Sequence, residues 1–407
     1  MDGLVLAGKG FDKLFLRRLP VPRPSRNQFL ARVDAVFACT SDGKLIESGS
    51  GHPLLAGWDT ERWPVVIGHE GCITAVEVGD GLKGRIEPGQ AFALQPAINA
   101  GPINNLEHYP DAGSVRKTAV GYSLGGLFAE YVLILEEVIE TDSLIPYDSA
   151  KVPYFAAAFS EPLSCVFSSQ NQVPHIYKDG PAAPRRARLG LKEGGVTLVL
   201  GAGTMGILHA DLAMSHRPRA IIISEPMEER RAQARGIIAA KAEAKGIELV
   251  LTTPDALPEV IARVTGGRGV DDCISALGIA RIQEESLKWL GPGGISVFFG
   301  GAKAGESLIT VDTRRVHYDS VSMVGSSGGD PSDVRAVMGL LESGEISPEP
   351  YVRRIGGLDA ALGLVKAVRG QEFFGKGLIY PHVRRPLHAV DGWSAAAEAE
   401  FLEKNLP

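Results

Sequence analysis

The pattern of apolar and polar positions changes near residue 160, so the two halves of the chain predict different structures. Before that point the apolar residues form short runs separated by Gly and Pro, at residues 30–37, 72–78, 90–94 and 129–134. Short runs bounded by turn-forming residues are typical of β-strands. The first half is therefore expected to form an all-β, partly closed barrel.

Beyond residue 160, apolar runs alternate with stretches of helical periodicity. Helices are expected at residues 227–244, 280–290 and 331–343, and strands at residues 196–200, 220–223, 248–251, 270–274, 294–299 and 320–324. Strands that alternate with helices form a parallel sheet with right-handed crossovers. The second half therefore predicts a doubly wound α/β domain.

One turn in this second half carries the first chemical signal. An apolar run at residues 197–200 opens into Gly-x-Gly-x-x-Gly, formed by Gly201, Gly203 and Gly206, and Glu225 ends the next apolar run. The first glycine allows a tight turn, the second lets backbone amides approach a pyrophosphate, and the third lets a helix pack closely. A carboxylate about 20 residues further on binds ribose hydroxyls. The segment predicts a dinucleotide site; the alternative is a Gly-rich turn that binds nothing.

A second set of chemical residues lies in the β-rich half and at its end. Cys39 ends an apolar run, His69 and Glu70 stand in Gly-His-Glu, and Glu161 begins Glu-Pro-Leu. A thiolate, an imidazole and a carboxylate suit tetrahedral zinc, and three protein ligands leave the fourth position for substrate. Each residue also has a structural interpretation: a core Cys, a hydrogen-bonded His and a Glu that starts a helix.

The order of these motifs resembles the zinc-dependent medium-chain dehydrogenase/reductase family, up to about residue 383. Short motifs at residues 121–123, 161–165, 316–318 and 324–329 most resemble the L-sorbose-1-phosphate reductase group of polyol and sugar-phosphate dehydrogenases. The resemblance implies a GroES-like, partly closed β-barrel catalytic domain and a Rossmann domain with a doubly wound parallel sheet. We expect the catalytic domain at residues 1–162, the Rossmann domain at 163–326, and a return to the catalytic domain plus a tail at 327–407.

The resemblance also implies a metal site. Cys39, His69 and Glu161 would bind one catalytic Zn²⁺, and Glu70 would bind the ion transiently or support it from behind. The family's structural zinc site normally shows four closely spaced cysteines near residues 95–120, and this stretch contains none. We therefore expect no structural zinc.

Further roles follow from the same resemblance. Ser41 would take the proton from the alcohol, and Asp42 would orient the ligand histidine. Lys44 stands where some relatives place a His at the end of the proton relay, which leaves the last step of that relay open.

The expected cofactor is NAD, with NADP as the alternative. Glu225 would bind the adenosine ribose and repel a 2′-phosphate, whereas Arg230 and Arg231 would accommodate that phosphate. The expected cofactor-binding residues are Gly201, Gly203, Thr204, Met205, Gly206, Glu225, Arg230, Ala276, Gly300 and Ser326.

Composition and net charge restrict the classes of molecule that the chain is expected to bind. The net charge is −6 with no long basic run, which argues against nucleic acid or an anionic membrane as a partner. No apolar run reaches the length of a membrane span, and no signal peptide is visible. The four cysteines lie far apart, at residues 39, 72, 165 and 273, which favours a reducing cytoplasm. The family resemblance implies a homodimer or homotetramer assembled through the sheet edge near residues 320–325.

The predicted function is hydride transfer between a nicotinamide cofactor and a secondary alcohol or ketone of a polyol, sugar or sugar phosphate. A metal-free enzyme of the quinone-reductase type and a catalytically silent nucleotide-binding regulator are the alternatives. A phosphorylated substrate would need cations, and the candidates are Arg116, Lys117, Lys303, Arg314 and Arg315. The loop at 95–120 would border the substrate or form a solvated insertion. The tail at 384–407 would pack on a neighbouring subunit or dock loosely as a helix.

Overall fold

The computed structural model describes residues 1–303 and 305–406, and the chain divides into two compact units. The β-rich unit comprises Met1–Ser164 and Asp330–Pro407, and the parallel-sheet unit comprises Cys165–Gly329. The divisions between the units, at 164/165 and 329/330, lie close to the domain boundaries expected at 162/163 and 326/327. Pro407, the last residue of the expected tail, lies outside the described residues.

The first part of the β-rich unit consists of short strands, two short helices and the start of a third helix. Its strands are β1 (Asp2–Leu6), β2 (Leu14–Arg18), β3 (Phe29–Phe37), β4 (Val65–Val66), β5 (Glu70–Val78), β6 (Ala91–Leu94), β7 (Ala97–Ile98), β8 (Thr118–Ala119), β9 (Tyr131–Ile134) and β10 (Leu144–Tyr147). Its helices are α1 (Thr40–Ser48), α2 (Glu136–Glu140) and the start of α3 (Tyr154–Asn171).

The parallel-sheet unit alternates strands with helices. Its strands are β11 (Pro174–Tyr177), β12 (Arg186–Leu189), β13 (Val196–Leu200), β14 (Ala220–Ser224), β15 (Glu248–Thr252), β16 (Val270–Ser275), β17 (Leu290–Phe298) and β18 (Ser322–Gly325). Its helices after α3 are α4 (Thr204–Ala213), α5 (Glu228–Ala244), α6 (Leu257–Thr265), α7 (Ala280–Lys288) and α8 (Thr313–Tyr318). The β11–β12 hairpin was not expected from the sequence.

The chain then returns to the β-rich unit. The elements there are α9 (Pro331–Glu342), β19 (Val352–Gly357), α10 (Ala361–Arg369), β20 (Lys376–Tyr380), β21 (His388–Ala389) and α11 (Ala395–Asn405). The two strands β19 and β20 join the sheet of the first part, because β20 pairs with β3.

An eight-stranded sheet organises the β-rich unit. Its order is β10-β6-β5-β3-β20-β19-β21, and β9 also pairs with β3. Eight of the nine residues of β3 are buried, so this strand lies at the centre of the core. Its carboxyl end leads into α1, and β5 beside it begins at Glu70, so the sheet brings Cys39 and His69 to the same end.

A six-stranded parallel sheet organises the other unit. Its order is β15-β14-β13-β16-β17-β18, which is the doubly wound arrangement of nucleotide-binding folds. All residues of β13 and β14 are buried, as expected for parallel strands that are covered on both faces. The predicted fold class, a partly closed β-structure followed by a Rossmann sheet, is confirmed. No helix in the described part of the chain is both long and apolar enough to cross a membrane.

The C-terminal tail docks as a helix on the β-rich unit. Trp393 is buried and packs edge-on against Phe401 of α11, with ring centroids 5.7 Å apart. Tyr380 of β20 contacts the same Phe401 ring at 5.4 Å. The tail is therefore tied to the core of its own chain through aromatic contacts.

Candidate metal and nucleotide sites

Three of the predicted residues form a cluster that can hold a metal ion. The ligand atoms of Cys39, His69 and Glu70 all lie within 4.8 Å of one another. Cys39 is half-buried and the other two side chains are buried. Thiolate, imidazole and carboxylate are donors that tetrahedral zinc takes, so these residues fit a zinc ion.

Asp42 ties two members of this cluster together. Its Oδ1 lies 3.0 Å from His69 Nδ1, and its Oδ2 accepts a hydrogen bond of 2.8 Å from the Cys39 amide. The carboxylate is fully buried in the first turn of α1. Because Nδ1 faces Asp42, the other ring nitrogen of His69 is directed to the cluster, where Ser41 Oγ lies 3.2 Å from it. Burial disfavours the charged imidazole, but Tyr122 and Asp42 outweigh this effect and raise the pKa of His69.

Glu70 has a buried cationic partner that the sequence did not reveal. Lys376, at the start of β20, donates to Glu70 Oε2, and both side chains are buried. Burial lowers the pKa of Lys376, but the Glu70 carboxylate and the Cys39 thiol reverse that effect and raise it above its usual value. The only signal for this pair in the sequence was a Lys that begins the apolar run Gly-Leu-Ile-Tyr.

Glu161, expected as the third zinc ligand, lies on α3 and is 8% exposed. Its carboxylate is close enough to Lys376 to help raise the pKa of that amine. Among the described residues, however, it is not part of the set whose ligand atoms lie within 4.8 Å of one another. Two carboxylates, Glu70 and Glu161, therefore interact with one buried lysine beside the candidate ligands Cys39 and His69.

An aromatic wall borders the imidazole of His69. The ring centroid of Tyr122 lies 5.5 Å from that of His69 and 5.1 Å from that of His52. Gly121 makes this approach possible, because its φ is +80° and a Cβ there would lie 2.4 Å from the carbonyl oxygen of Gly68. Burial raises the pKa of Tyr122 to about 12. The phenol is therefore a neutral hydrogen-bonding group near neutral pH.

The cation expected at the end of the proton relay lies near a histidine. Lys44 is exposed on α1, one turn after Ser41. Burial and the charge of Lys44 both lower the pKa of His52. His52 was not singled out from the sequence, because it lies eight residues beyond Lys44 in a segment rich in Gly and Pro.

The glycines of the nucleotide turn have the conformations that the motif requires. Gly201 has φ +96°, and a Cβ on Gly206 would lie 2.0 Å from the Gly201 carbonyl oxygen, so only glycine allows α4 to approach the turn. A Cβ on Gly203 would meet nothing within 4 Å. The first turn of α4 thus faces open space, and helix N-termini bind phosphate groups.

Glu225 lies at the end of β14 and points to this turn. Its Oε2 accepts from the Ala202 amide at 2.9 Å, and its Oε1 accepts from the Met227 amide at 3.1 Å. Arg230 Nη1 is 3.9 Å from the same carboxylate. Arg231 donates to the carbonyl oxygens of Glu225 and Pro226, so its guanidinium supports the backbone.

Comparisons with known proteins identify the family to which the chain belongs. The family profile described as zinc-binding dehydrogenase matches residues 201–343, and the alcohol dehydrogenase GroES-like domain matches residues 25–142. Mannitol-1-phosphate 5-dehydrogenase of Aliivibrio fischeri is 30% identical over 406 residues, which cover 96% of this chain and 89% of that protein. The chain belongs to the zinc-binding dehydrogenase family. It is therefore a zinc-dependent oxidoreductase that transfers a hydride between a nicotinamide nucleotide and an alcohol or its carbonyl product.

Two further similarities place this zinc-binding dehydrogenase among its relatives. L-sorbose 1-phosphate reductase of Klebsiella pneumoniae is 28% identical over 358 residues, covering 86% of this chain and 82% of that protein. A zinc-binding dehydrogenase of Sinorhizobium meliloti, crystallised with NADP, shares the fold with a TM-score of 0.70 and 22% identity, covering 93% of this chain and 99% of that one. The resemblance to zinc-dependent dehydrogenases that the sequence motifs indicated is confirmed.

The remaining residues expected at the nucleotide site of this zinc-binding dehydrogenase lie in the first turn of α4 or beyond the carboxyl ends of strands of the same parallel sheet. Thr204 and Met205 are half-buried in the first turn of α4. The amides of Ala276 and Gly300 donate to the carbonyl oxygens of Leu200 and Ser275, at 3.2 and 3.1 Å. Ser326 directly follows β18, and its Oγ is buried without a hydrogen-bond partner in the described part of the chain.

Most cations that the sequence offered for a substrate phosphate serve other contacts. Arg315 donates to the carbonyl oxygens of Leu287 and Leu290. Arg116 donates to the carbonyl oxygen of Gly113 at 2.6 Å, and Arg314 lies over the Tyr318 ring at 4.8 Å. Lys117 is half-buried and Lys303 is exposed. The loop at 95–120 contains the short strands β7 and β8, which pair with each other.

Proposed function

We propose that this zinc-binding dehydrogenase acts on a phosphorylated polyol or its ketose, with NAD as the preferred cofactor. The observation that carries the proposal is the cluster of Cys39, His69 and Glu70, with Asp42 bound to both Cys39 and His69. Two relatives with high coverage have names that specify phosphorylated six-carbon substrates.

The residues around the cluster have separate tasks in this proposal. A bound Zn²⁺ would act as a Lewis acid that makes the substrate hydroxyl easier to deprotonate. Cys39 and His69 would hold the ion, and Asp42 would fix the tautomer and orientation of the imidazole. Ser41 Oγ, which lies beside His69, would accept the proton of the substrate hydroxyl and release its own hydroxyl proton to solvent.

The third protein ligand would be Glu161 or Glu70. Lys376 holds Glu70 in a buried ion pair, which disfavours its transfer to the metal. Glu161 is buried on the same side, within electrostatic reach of Lys376. We therefore retain Glu161 as the proposed third ligand and assign Glu70 a supporting position.

A phosphate group on the substrate would meet Lys44 and His52. Lys44 follows Ser41 by three residues on α1, and side chains three apart on a helix lie on one face. Lys44 would then bind the phosphate rather than end the proton relay. This assignment replaces Arg116, Arg314 and Arg315, which donate to backbone carbonyls or cover an aromatic ring.

The preference for NAD rests on Glu225. Its carboxylate is buried at the nucleotide turn, where a 2′-phosphate would meet a like charge. Arg231 is bound to backbone carbonyls, and Arg230, 3.9 Å from the Glu225 carboxylate, is the cation that would favour a 2′-phosphate instead. The fold relative that was crystallised with NADP makes NADP the alternative to test.

Self-association would use the open edge of the parallel sheet. β18 forms this edge, and a groove of about 410 Å³ beside it is lined by residues that include Val316, Val321 and Met323. Tyr318 is 69% exposed and Leu308 is 94% exposed in the same unit. Exposed apolar groups beside an unpaired strand favour pairing with a second copy, so we propose a homo-oligomer.

The deciding experiment measures zinc content and turnover together. Pairs of polyols and their phosphates are offered with NAD and with NADP, and formation of the reduced nicotinamide is followed by absorbance. We expect one zinc per chain and turnover that is fastest with a phosphate ester and NAD. A zinc-free protein that turns over quinones, or one that binds nucleotide without turnover, would replace the proposal by the corresponding alternative.

A charge-matched pair of variants tests the phosphate contact. Lys44→Gln is expected to lower kcat/KM for the phosphate ester about 10-fold, because a charged hydrogen bond is lost, and to leave the unphosphorylated polyol unaffected. Lys366→Gln removes an exposed charge from α10 of the same unit and serves as the control. An equal effect of Lys44→Gln on both substrates would contradict the phosphate assignment.

A further inference from the structure

The C-terminal segment contains a buried carboxylate that no part of the mechanism uses. Glu398 of α11 is 3% exposed, and it lies beyond the ranges that the two family profiles match. Its Oε2 accepts from the Tyr154 amide and its Oε1 from the Phe155 amide, both at 2.8 Å. Oε1 also accepts from the Tyr380 hydroxyl at 2.6 Å. Three donors on two elements therefore converge on one side chain.

The first two of these donors belong to the first turn of α3. The Ala157 amide donates to the Pro153 carbonyl oxygen, so the amides of residues 154 and 155 are among those that an α-helix leaves without a partner. Pro153 has no side-chain oxygen that could cap them. Glu398 supplies the cap from 244 and 243 residues away in sequence, and its negative charge suits a helix N-terminus.

The segment that receives this cap carries Glu161. Pro162 lies inside α3 and has no amide hydrogen, so the helical bond to the carbonyl oxygen of Ala158 is missing. The helical turns before Pro162 are therefore held less by the rest of the helix, and more by contacts at their own N-terminus. The cap by Glu398 is one of those contacts.

The third donor connects Glu398 to β20. Tyr380 ends this strand, and Lys376, the partner of Glu70, begins it. The Trp393 indole Nε1 also donates to the Tyr380 hydroxyl at 2.7 Å, so the strand end is held by two residues of the tail. Glu398 thus contacts both the helix that carries Glu161 and the strand that carries Lys376.

We propose that Glu398 is a positioning residue for the metal site, acting through α3 on Glu161 and through β20 on Lys376. The inference rests on the proposed function, because it assumes that the cluster holds zinc. The C-terminal helix is in this view a part of the metal-binding machinery, and its loss loosens the ion before it unfolds the protein.

The test compares two substitutions on the same helix. Glu398→Gln removes the capping charge, and Glu400→Gln removes an exposed charge that pairs only along the helix with Lys404 in the described contacts. Each zinc-loaded protein is mixed with an excess of chelator, and zinc release is followed at a temperature at which circular dichroism shows both variants folded. We expect release to be about 10-fold to 100-fold faster for Glu398→Gln, the range typical of lost support behind a metal ligand, and unchanged for Glu400→Gln.

A second measurement separates positioning from general stability. The same comparison is repeated in protein that carries Glu161→Gln. If Glu398 acts through Glu161, adding Glu398→Gln to this protein should accelerate zinc release little further, because both substitutions then disturb the same ligand. The visible spectrum of the cobalt-substituted protein should also change in Glu398→Gln, since it reports the ligand geometry. Wild-type zinc release and an unchanged cobalt spectrum in Glu398→Gln, with only a lower unfolding temperature, would overturn the inference.

Tyr380→Phe keeps the test decisive if Glu398→Gln does not fold. It deletes the hydroxyl shared by Glu398 and Trp393 and leaves the cap on α3. We expect faster zinc release from this variant as well, and wild-type release would overturn the part assigned to β20. If the wild-type protein itself holds no zinc, the proposed function has failed; if it holds zinc and the variants release it normally, only this inference has failed.

Discussion

The nucleotide turn and the metal cluster are built in opposite ways. The turn takes its shape from residues that are close in sequence, Gly201 to Gly206, and Glu225 reaches it from the end of the neighbouring parallel strand. The metal cluster is assembled from distant parts of the chain, since the partner of Glu70 is 306 residues away. The shape of a local motif is fixed by residues within or beside the motif, whereas a site assembled from distant segments also depends on residues outside any recognisable motif.

The largest expected effect tests the ligands of the distributed site. Cys39→Ala or His69→Ala should remove zinc and lower turnover on the order of 10³-fold or more, because several kcal/mol of transition-state stabilisation are lost with the metal. Nucleotide binding should survive, since the turn is built independently. Zinc content by elemental analysis and nucleotide affinity by calorimetry check both statements, and retained activity would remove the metal assignment.

The next effect concerns the buried ion pair behind the cluster. Lys376→Met should lower the free energy of unfolding by about 3–5 kcal/mol, because Glu70 is left as a buried charge without its partner. The double variant Lys376→Met/Glu70→Gln should recover most of that loss. Urea unfolding of the zinc-free proteins measures both, and full stability of the single variant would show that Glu70 finds another partner or becomes protonated without cost.

A smaller effect is expected for the residue that supports two ligands. Asp42→Asn keeps the size of the side chain but removes the charge that holds His69 and the Cys39 amide. Zinc affinity should fall about 10-fold to 100-fold. Competition with a chelator of known affinity gives the value, and an affinity equal to that of the unaltered protein would mean that the histidine needs no such support.

The smallest expected effect concerns the nucleotide turn. Glu225→Ala should weaken NAD about 10-fold and NADP less, because the ribose loses a charged acceptor while the 2′-phosphate is relieved of a like charge. Dissociation constants of both nucleotides measured on the same protein decide it. An unchanged ratio would show that Glu225 serves the backbone of the turn alone.

The same contrast explains how much could be predicted from the sequence. The strand at residues 196–200 was predicted with its observed bounds, because a run of apolar and β-branched residues ends at a glycine motif. The strand expected at residues 294–299 begins earlier, at Leu290, because the glycines and proline of this segment break the apolar pattern while the backbone still pairs with β16.

For the metal site, the sequence identified candidate ligands and one of their supports, Asp42, and missed the others. Cys39, His69 and Glu70 stand in recognisable motifs, and the structure brings them together. Lys376, His52 and Glu398 stand in no motif, and Lys376 and Glu398 acquire their roles only when strands and helices far apart in sequence become neighbours. Tyr122 belongs to the short motif at residues 121–123 that resembles the sugar-phosphate dehydrogenases. Its position beside His69, however, depends on the close approach of Gly121 to the Gly68 carbonyl oxygen.

The cap on α3 has a consequence for how the protein matures. The amides of Tyr154 and Phe155 are capped by a carboxylate that is synthesised 244 residues after Tyr154. On the ribosome, the first turn of this helix therefore lacks its cap until residue 398 has been made. Secure retention of the metal should accordingly require α11 to be in place, and a truncation that removes this helix should weaken it even though the expected ligands are intact.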